Sequence, residues 1–305
     1  MIKEKIVLKK LTVILILLPF SIQAKDNIEV YNAYGNTHQL YIQGRMLYKK
    51  KFEVVKSDDG WLSNLWRRAK QTQNDEISSK KIRAIVHGEK FSVRGDDEGY
   101  FEFNITLNSE LPIGYEKVNL TIEGNPISHE VSTSIIGDKK LIGIISDFDD
   151  TIIVSEVSNP FKLILNTVFK NYQQRTIIST MKERFKTILS QNPDNSPSTL
   201  FILTGSPQHL FRAIEGFLKF HHFPEYTLLL KKAHGDNKDS LTEQFAYKTK
   251  KIEHLIQLYP NMQWVMFGDS GEKDREVYHA IAKKYPHKIQ AFYIRDVKSG
   301  KITKY

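Results

Sequence analysis

The sequence predicts an α/β chain: a doubly wound parallel sheet over residues 141–305, preceded by a smaller β-sandwich-like domain over residues 25–140. Three observations predict it. Short β-branched and aromatic runs separated by Gly and Asn/Asp turns fill the first half. Continuous apolar runs alternating with helical stripes fill the second. Acidic and hydroxyl-bearing motifs follow those apolar runs, where an open parallel sheet binds its ligands.

Residues 1–24 read as a targeting signal. Lys3, Lys5, Lys9 and Lys10 precede an apolar run from Leu11 to Phe20, which ends in Ser21-Ile22-Gln23-Ala24. The run is short for a membrane span; an uncleaved anchor is the alternative. The expectation is an exported protein, periplasmic or secreted.

In the accessory domain, Ile28–Tyr31, Gln39–Tyr48, Lys81–Val86, Tyr100–Leu107, Lys117–Glu123 and Ser128–Ile136 are the expected strands. The acidic cluster Asp96-Asp97-Glu98 reads as a hairpin turn rather than a calcium loop, because no ligand spacing follows it. One insert departs from the strand pattern. Trp61, Leu62, Leu65 and Trp66 share a helical face and are followed by Arg67, Arg68 and Lys70. Such a helix packs its tryptophans on a neighbouring domain or lies at a membrane interface.

The second half places strands at Leu141–Phe148, Thr199–Thr204, Tyr226–Leu230, Gln263–Phe267 and Ile289–Ile294. Helical stripes run through Leu210, Ile214, Phe217 and Leu218, through Ile252, Leu255 and Ile256, and through Val277, Tyr278, Ile281, Ala282 and Tyr285. Further helices are expected around Phe161–Tyr172 and Thr180–Leu189.

Four motifs follow the strands. Asp147-Phe148-Asp149-Asp150-Thr151 crowds three carboxylates, which calls for a compensating cation. With no cysteine in the chain, oxygen ligands point to Mg2+. In Thr204-Gly205-Ser206-Pro207, Ser206 suits a helix N-cap and Pro207 the first turn, and the free N–H groups with the Thr204 hydroxyl suit a phosphate. Tyr247-Lys248-Thr249-Lys250-Lys251 opens a helix, and one of its lysines can face that phosphate. Gly268-Asp269-Ser270-Gly271-Glu272-Lys273-Asp274 forms a tight loop from which Asp269 and Asp274 can both approach a cation. Taken singly, the second motif is only a capped helix and the fourth only a turn.

In this order, an acidic D-x-D-x-T, a Thr, a Lys and a G-D-x-x-x-x-D resemble the haloacid dehalogenase superfamily of aspartate-nucleophile phosphatases, across about residues 141–297. Ser146–Ile152, Ser206–Phe211, Gly268–Tyr278 and Tyr293–Val297 resemble, more narrowly, the phosphatidate phosphatase catalytic-domain family of bacteria and fungi. That resemblance implies a haloacid dehalogenase-like fold. It makes Asp147 the nucleophile and Asp149 the general acid and base. Mg2+ would be held by Asp147, the Asp149 carbonyl and Asp269, with Asp274 holding a metal water or orienting Lys248. Phosphate would be bound by Thr204, the Gly205 N–H and Lys248. Asp150 is structural on this reading. Two departures stand out: Thr204-Gly205-Ser206 replaces Ser-x-Ser but keeps the hydroxyl, and Lys231-Lys232-Ala233-His234 replaces an Arg-Asp pair, which leaves substrate choice open.

The net charge of +9 invites an anionic partner. A third of it lies in residues 1–24, and the remainder is scattered without a recognition helix or stacking motif, which argues against nucleic acid. The expected substrate carries a phosphate, on a lipid by resemblance, and peripheral membrane contact would accompany it. The intervals between motifs leave no room for a large cap, which suits a phosphate on a large molecule. A phosphatase for soluble esters or phosphoproteins is the alternative within the class, and a non-enzymatic envelope binding protein the alternative outside it.

Overall fold

The computed structural model describes residues 26–48, 76–153, 177–232 and 244–305. The expected signal segment, the Trp61/Trp66 helix and the helix around Phe161–Tyr172 lie outside the described residues.

Two sheets follow one another. The first contains β1 (Asp26–Gly35), β2 (Gln39–Tyr48), β3 (Lys81–Val86), β4 (Glu89–Arg94), β5 (Tyr100–Thr106), β6 (Gly114–Ile122) and β7 (Ser128–Ile135), in the order β4-β3-β6-β7-β1-β2-β5. The seven strands form one hydrogen-bonded sheet. Its neighbours are antiparallel except β1 and β7, which pair in parallel through Tyr34↔Ser134 and Gly35↔Ile135. Alternation does the sorting: Leu40, Ile42, Gly44 and Met46 of β2 turn inward while the residues between them stay half-exposed. With Ile82, Ala84, Phe101, Phe103, Val118 and Leu120 they make a single core.

Local chemistry sets the turns. Asn36 Oδ1 accepts the N–H groups of His38 and Gln39 at 2.9 and 2.8 Å between β1 and β2. His87 and Gly88 both take positive φ, the backbone a two-residue hairpin requires between β3 and β4. At the acidic cluster, Asp96 Oδ1 accepts the N–H groups of Glu98 and Tyr100 at 3.0 and 2.9 Å, and Oδ2 lies 3.1 Å from Lys232 Nζ. Asp96 therefore closes a tight turn and ties it to the second sheet, but the turn is not the expected hairpin, because the strands it joins, β4 and β5, lie at opposite edges of the first sheet and do not pair.

The second sheet contains β8 (Ile142–Ser146), β9 (Leu200–Pro207), β10 (Thr227–Lys231), β11 (Gln263–Asp269), β12 (Ile289–Arg295) and β13 (Ile302–Lys304), in the order β10-β9-β8-β11-β12-β13. The first five are parallel, and β13 closes the edge antiparallel to β12. Helices α1 (Ser179–Leu189) and α2 (Phe211–Phe220) pack on one face through Met181, Phe185, Ile214 and Phe217, against Ile144, Ile202 and Phe267. Helices α3 (Gln244–Leu258) and α4 (Asp274–Lys284) pack on the other through Ile252, Leu255, Val277 and Ile281, against Ile145, Leu203 and Met266. Covered on both faces, the strands can be apolar on both sides.

The two sheets share their cores. Tyr31 and Tyr100 of the first join the α1/α2 face, and Tyr34 joins the α3/α4 face. Polar bonds stitch the seam: Tyr259 Oη donates to the Gly35 carbonyl at 3.2 Å, Asn36 Nδ2 to the Leu258 carbonyl at 3.1 Å, and Arg212 pairs with Glu29. Among the described residues, no helix is long and apolar enough to cross a membrane.

Candidate active site

The carboxyl ends of β8, β9 and β11 adjoin, because β8 lies between the other two. Asp147 follows β8 directly. Its N–H donates to the Phe267 carbonyl at 2.8 Å, which prolongs the β8–β11 pairing by one step. Phe148 then turns into the core and meets Phe217 edge-on at 5.6 Å. Its carbonyl accepts the N–H groups of Ile152 and Ile153 at 2.9 and 3.2 Å, so the chain turns back at once. Asp150 takes φ +53°, a left-handed conformation that Asp tolerates better than most residues. Arg295 Nη1 donates to its carbonyl at 3.0 Å and holds the turn in place.

From β11, Asp269 Oδ1 accepts the N–H groups of Gly271 and Glu272 at 2.5 and 3.2 Å, which curls the loop toward α4. Asp274 opens that helix, where a carboxylate is favoured by the helix dipole. Its Oδ2 accepts the Asp269 N–H at 3.3 Å.

Lys248 reaches in from the second turn of α3, 1% exposed. Its ammonium donates to Asp147 Oδ1 at 2.9 Å, Glu272 Oε2 at 2.9 Å and Asp274 Oδ1 at 2.5 Å. Burial alone would push the amine down, but Asp147, Asp274 and Glu272 outweigh it and hold Lys248 well above its ordinary value. The amine is therefore charged. Burial raises the Asp147 carboxyl well above its usual range despite Lys248, and raises Asp274 as well. Burial, with Asp274 and Glu272 beside it, lifts Asp269 to about 7.

Oxygens of Asp147, Asp269, Glu272 and Asp274 lie within 4.8 Å of one another. One ammonium cannot neutralise four carboxylates. Among the described residues, Asp147 Oδ2 and Asp269 Oδ2 are buried without a hydrogen-bond partner, which is costly unless a further positive group meets them. All-oxygen donors, two of them buried and unpartnered, fit a hard divalent cation.

Of the residues the sequence nominates, Asp147, Lys248, Asp269 and Asp274 converge directly. The Asp149 side chain lies outside the four-carboxylate group, and its Oδ2 accepts the Ser206 hydroxyl at 3.2 Å. Thr204 is buried within β9, and its Oγ1 accepts the Ser206 N–H at 3.0 Å. Ser206 is not a helix cap. β9 runs on through Pro207, whose backbone is extended, and a short 3-10 turn follows at Gln208–Leu210 with no side-chain cap. The hydroxyl that suited capping serves Asp149 instead.

Three contributors went unassigned. Glu272 binds Lys248, Gln244 Nε2 donates to Glu272 Oε1 at 3.3 Å, and Arg295 holds the Asp150 turn. Helical spacing could have found Gln244, which lies one turn before Lys248 on the same face. Gly205 sits against it: a Cβ there would come within 3.0 Å of Gln244 Nε2.

The family model for the catalytic domain of phosphatidate phosphatase APP1 matches residues 142–296. Phosphatidate phosphatase APP1 of Saccharomyces cerevisiae is 28% identical over 218 residues, covering 68% of this chain and 36% of the relative. An uncharacterized protein of Schizosaccharomyces pombe is 26% identical over 218 residues, covering 69% of this chain and 35% of the relative. The matched region thus spans about a third of the length of these curated relatives. Both alignments are longer than residues 142–305, so they extend into the first sheet. A carbohydrate acetylesterase structure from Xanthomonas citri, 9% identical, covers 89% of this chain and 68% of its own at a TM-score of 0.31, a likeness too low to carry an argument.

Proposed function

Since this chain belongs to the family of phosphatidate phosphatase APP1 catalytic domains, we propose that it is a Mg2+-dependent phosphoric monoester hydrolase acting on phosphatidate or a related lipid phosphate. One observation carries the reading: Asp147 stands at a strand end with Oδ1 held by a charged lysine and Oδ2 buried and unpartnered. A carboxylate oriented by a lysine at a strand end is placed to act as a nucleophile. The relative from Saccharomyces cerevisiae, named a phosphatidate phosphatase, supports the substrate class.

In the proposed reaction the Asp147 carboxylate attacks phosphorus, and the bond from phosphorus to the glycerol oxygen breaks. Asp149 gives that oxygen its proton. The aspartyl-phosphate is then attacked by water, whose proton passes to Asp149; the bond from phosphorus to Asp147 breaks and phosphate departs. Lys248 and the Thr204 hydroxyl bind phosphoryl oxygens and stabilise their charge. Asp147, Asp269 and Asp274, with the Asp149 carbonyl as the resemblance implies, would hold Mg2+. The ion supplies the charge that lets a carboxylate approach a phosphate dianion.

A haloacid dehalogenase-like, doubly wound sheet is part of the proposal, supported by α1 and α2 on one face of the parallel sheet and α3 and α4 on the other. Export and peripheral membrane contact belong to it too, and cell fractionation and vesicle pelleting test them. The deciding experiment measures phosphate release from phosphatidate vesicles and from soluble esters, with Mg2+ or EDTA. Vesicles are expected to be hydrolysed with Mg2+ only, and Asp147→Asn to abolish the reaction. Full activity in Asp147→Asn sinks the mechanism; turnover of soluble esters alone sinks the lipid assignment.

A further inference from the structure

An ammonium has three N–H donors, and those of Lys248 are all committed, to Asp147, Glu272 and Asp274. The function proposed above asks the same group to bind a phosphoryl oxygen. One carboxylate has to give way. Asp147 and Asp274 are 1% and 0% exposed. Asp147 is the nucleophile of that reaction, and Asp274 is also tied to the Asp269 N–H and packed beneath Gly268. Glu272 is different. It is 26% exposed, on the loop between β11 and α4. Its second oxygen is held by Gln244, beside Gly205 of the proposed phosphate-binding set.

Resting on that reading of Lys248, we infer that Glu272 is a built-in stand-in for the substrate: its carboxylate occupies the position on the ammonium that a phosphoryl oxygen takes, and substrate binding displaces it. Both groups offer an anionic oxygen to the same donor. The bond that Glu272 gives up is charge-assisted, so every incoming phosphate competes against it. Glu272 thus keeps Lys248 aligned between turnovers at the expense of affinity. A carboxylate that only orients Lys248 would have the opposite effect, because its loss would weaken phosphate binding.

The test uses the full chain saturated with Mg2+. Glu272→Gln keeps the shape and removes the charge; Glu272→Ala removes the group. Thermal melting first checks that each variant is folded, and Mg2+ titration that each is saturated. Calorimetry then gives the dissociation constant of orthophosphate, and initial rates give KM for phosphatidate vesicles. Both constants are expected to fall about tenfold in Glu272→Gln, the scale of one charge-assisted bond no longer competing, and at least as far in Glu272→Ala. A rise or no change in both variants overturns the inference, while wild-type phosphate release and orthophosphate binding leave the phosphatase reading standing. A wild-type protein that neither binds orthophosphate nor releases phosphate overturns both.

Discussion

At Gly268 a Cβ would lie 2.5 Å from both Cβ and Oδ2 of Asp274. The missing side chain is what lets the first residue of α4 pack against the end of β11. Gly268→Ala should move Asp274 and with it Lys248. The expected loss is about a hundredfold in kcat, the scale of an ångström-sized misplacement, with about 1–3 kcal/mol of stability; wild-type kinetics in this variant would refute the packing argument. Asp269 tests the charge imbalance. Four carboxylates around one ammonium destabilise the metal-free protein, so Mg2+ should raise its melting temperature, by about 2.7 kcal/mol of stability at a hundred times the dissociation constant. Asp269→Asn should melt higher than wild type in EDTA and respond less to Mg2+. A lower melting temperature in EDTA would mean that the imbalance does not govern stability. Asp147, Asp269 and Asp274 were legible because each follows an apolar run or opens a helix, whereas the residues alone left Lys248 among three lysines and the family resemblance singled it out. Glu272, Gln244 and Arg295 were not legible, because their roles depend on where side chains meet across elements far apart in sequence.

The elements that carry the site are set by ordinary patterning. Continuous apolar runs marked β8, β9, β10, β11 and β12. β4 was missed because only Phe91 and Val93 lend it apolar character and no residue in it is fully buried. β13 was missed because it is three residues long and largely exposed. One helix bears directly on the catalytic turn. Phe217 of α2 packs edge-on against Phe148, between the two aspartates of the proposed reaction. Phe217→Ala should cost about 3–5 kcal/mol and lower kcat as the Asp147–Asp150 turn loosens. Urea denaturation gives the first quantity and phosphate release the second. A stability loss with kcat intact would confine Phe217 to the core.

Across the whole molecule the seam between the sheets joins structure to the site, and no single-sequence pattern announced it. His254, two turns beyond Lys248 on α3, meets Tyr41 edge-on at 4.3 Å and Tyr34 at 6.3 Å. Burial, with Lys251 nearby, lowers its pKa from 6.5 to about 4. A folded value below the unfolded one means that His254 contributes its full stability above about pH 6.5 and loses it as the pH falls toward 4. The difference is about 2 kcal/mol once its partial exposure is allowed for. Urea denaturation between pH 6.5 and 4 should show a shallower decline in His254→Gln than in wild type. Parallel profiles would place the acid sensitivity elsewhere.

The shared cores also bear on how such a protein can be cut and recombined. Tyr31, Tyr34 and Tyr100 arrive from the first sheet and complete the packing beneath α2 and α3, the helices beside the proposed phosphate site. The chemistry begins at β8, yet the piece of chain that would have to travel with it begins at β1. A chimera joined at residue 141 would inherit every proposed catalytic group and lose the floor those helices stand on.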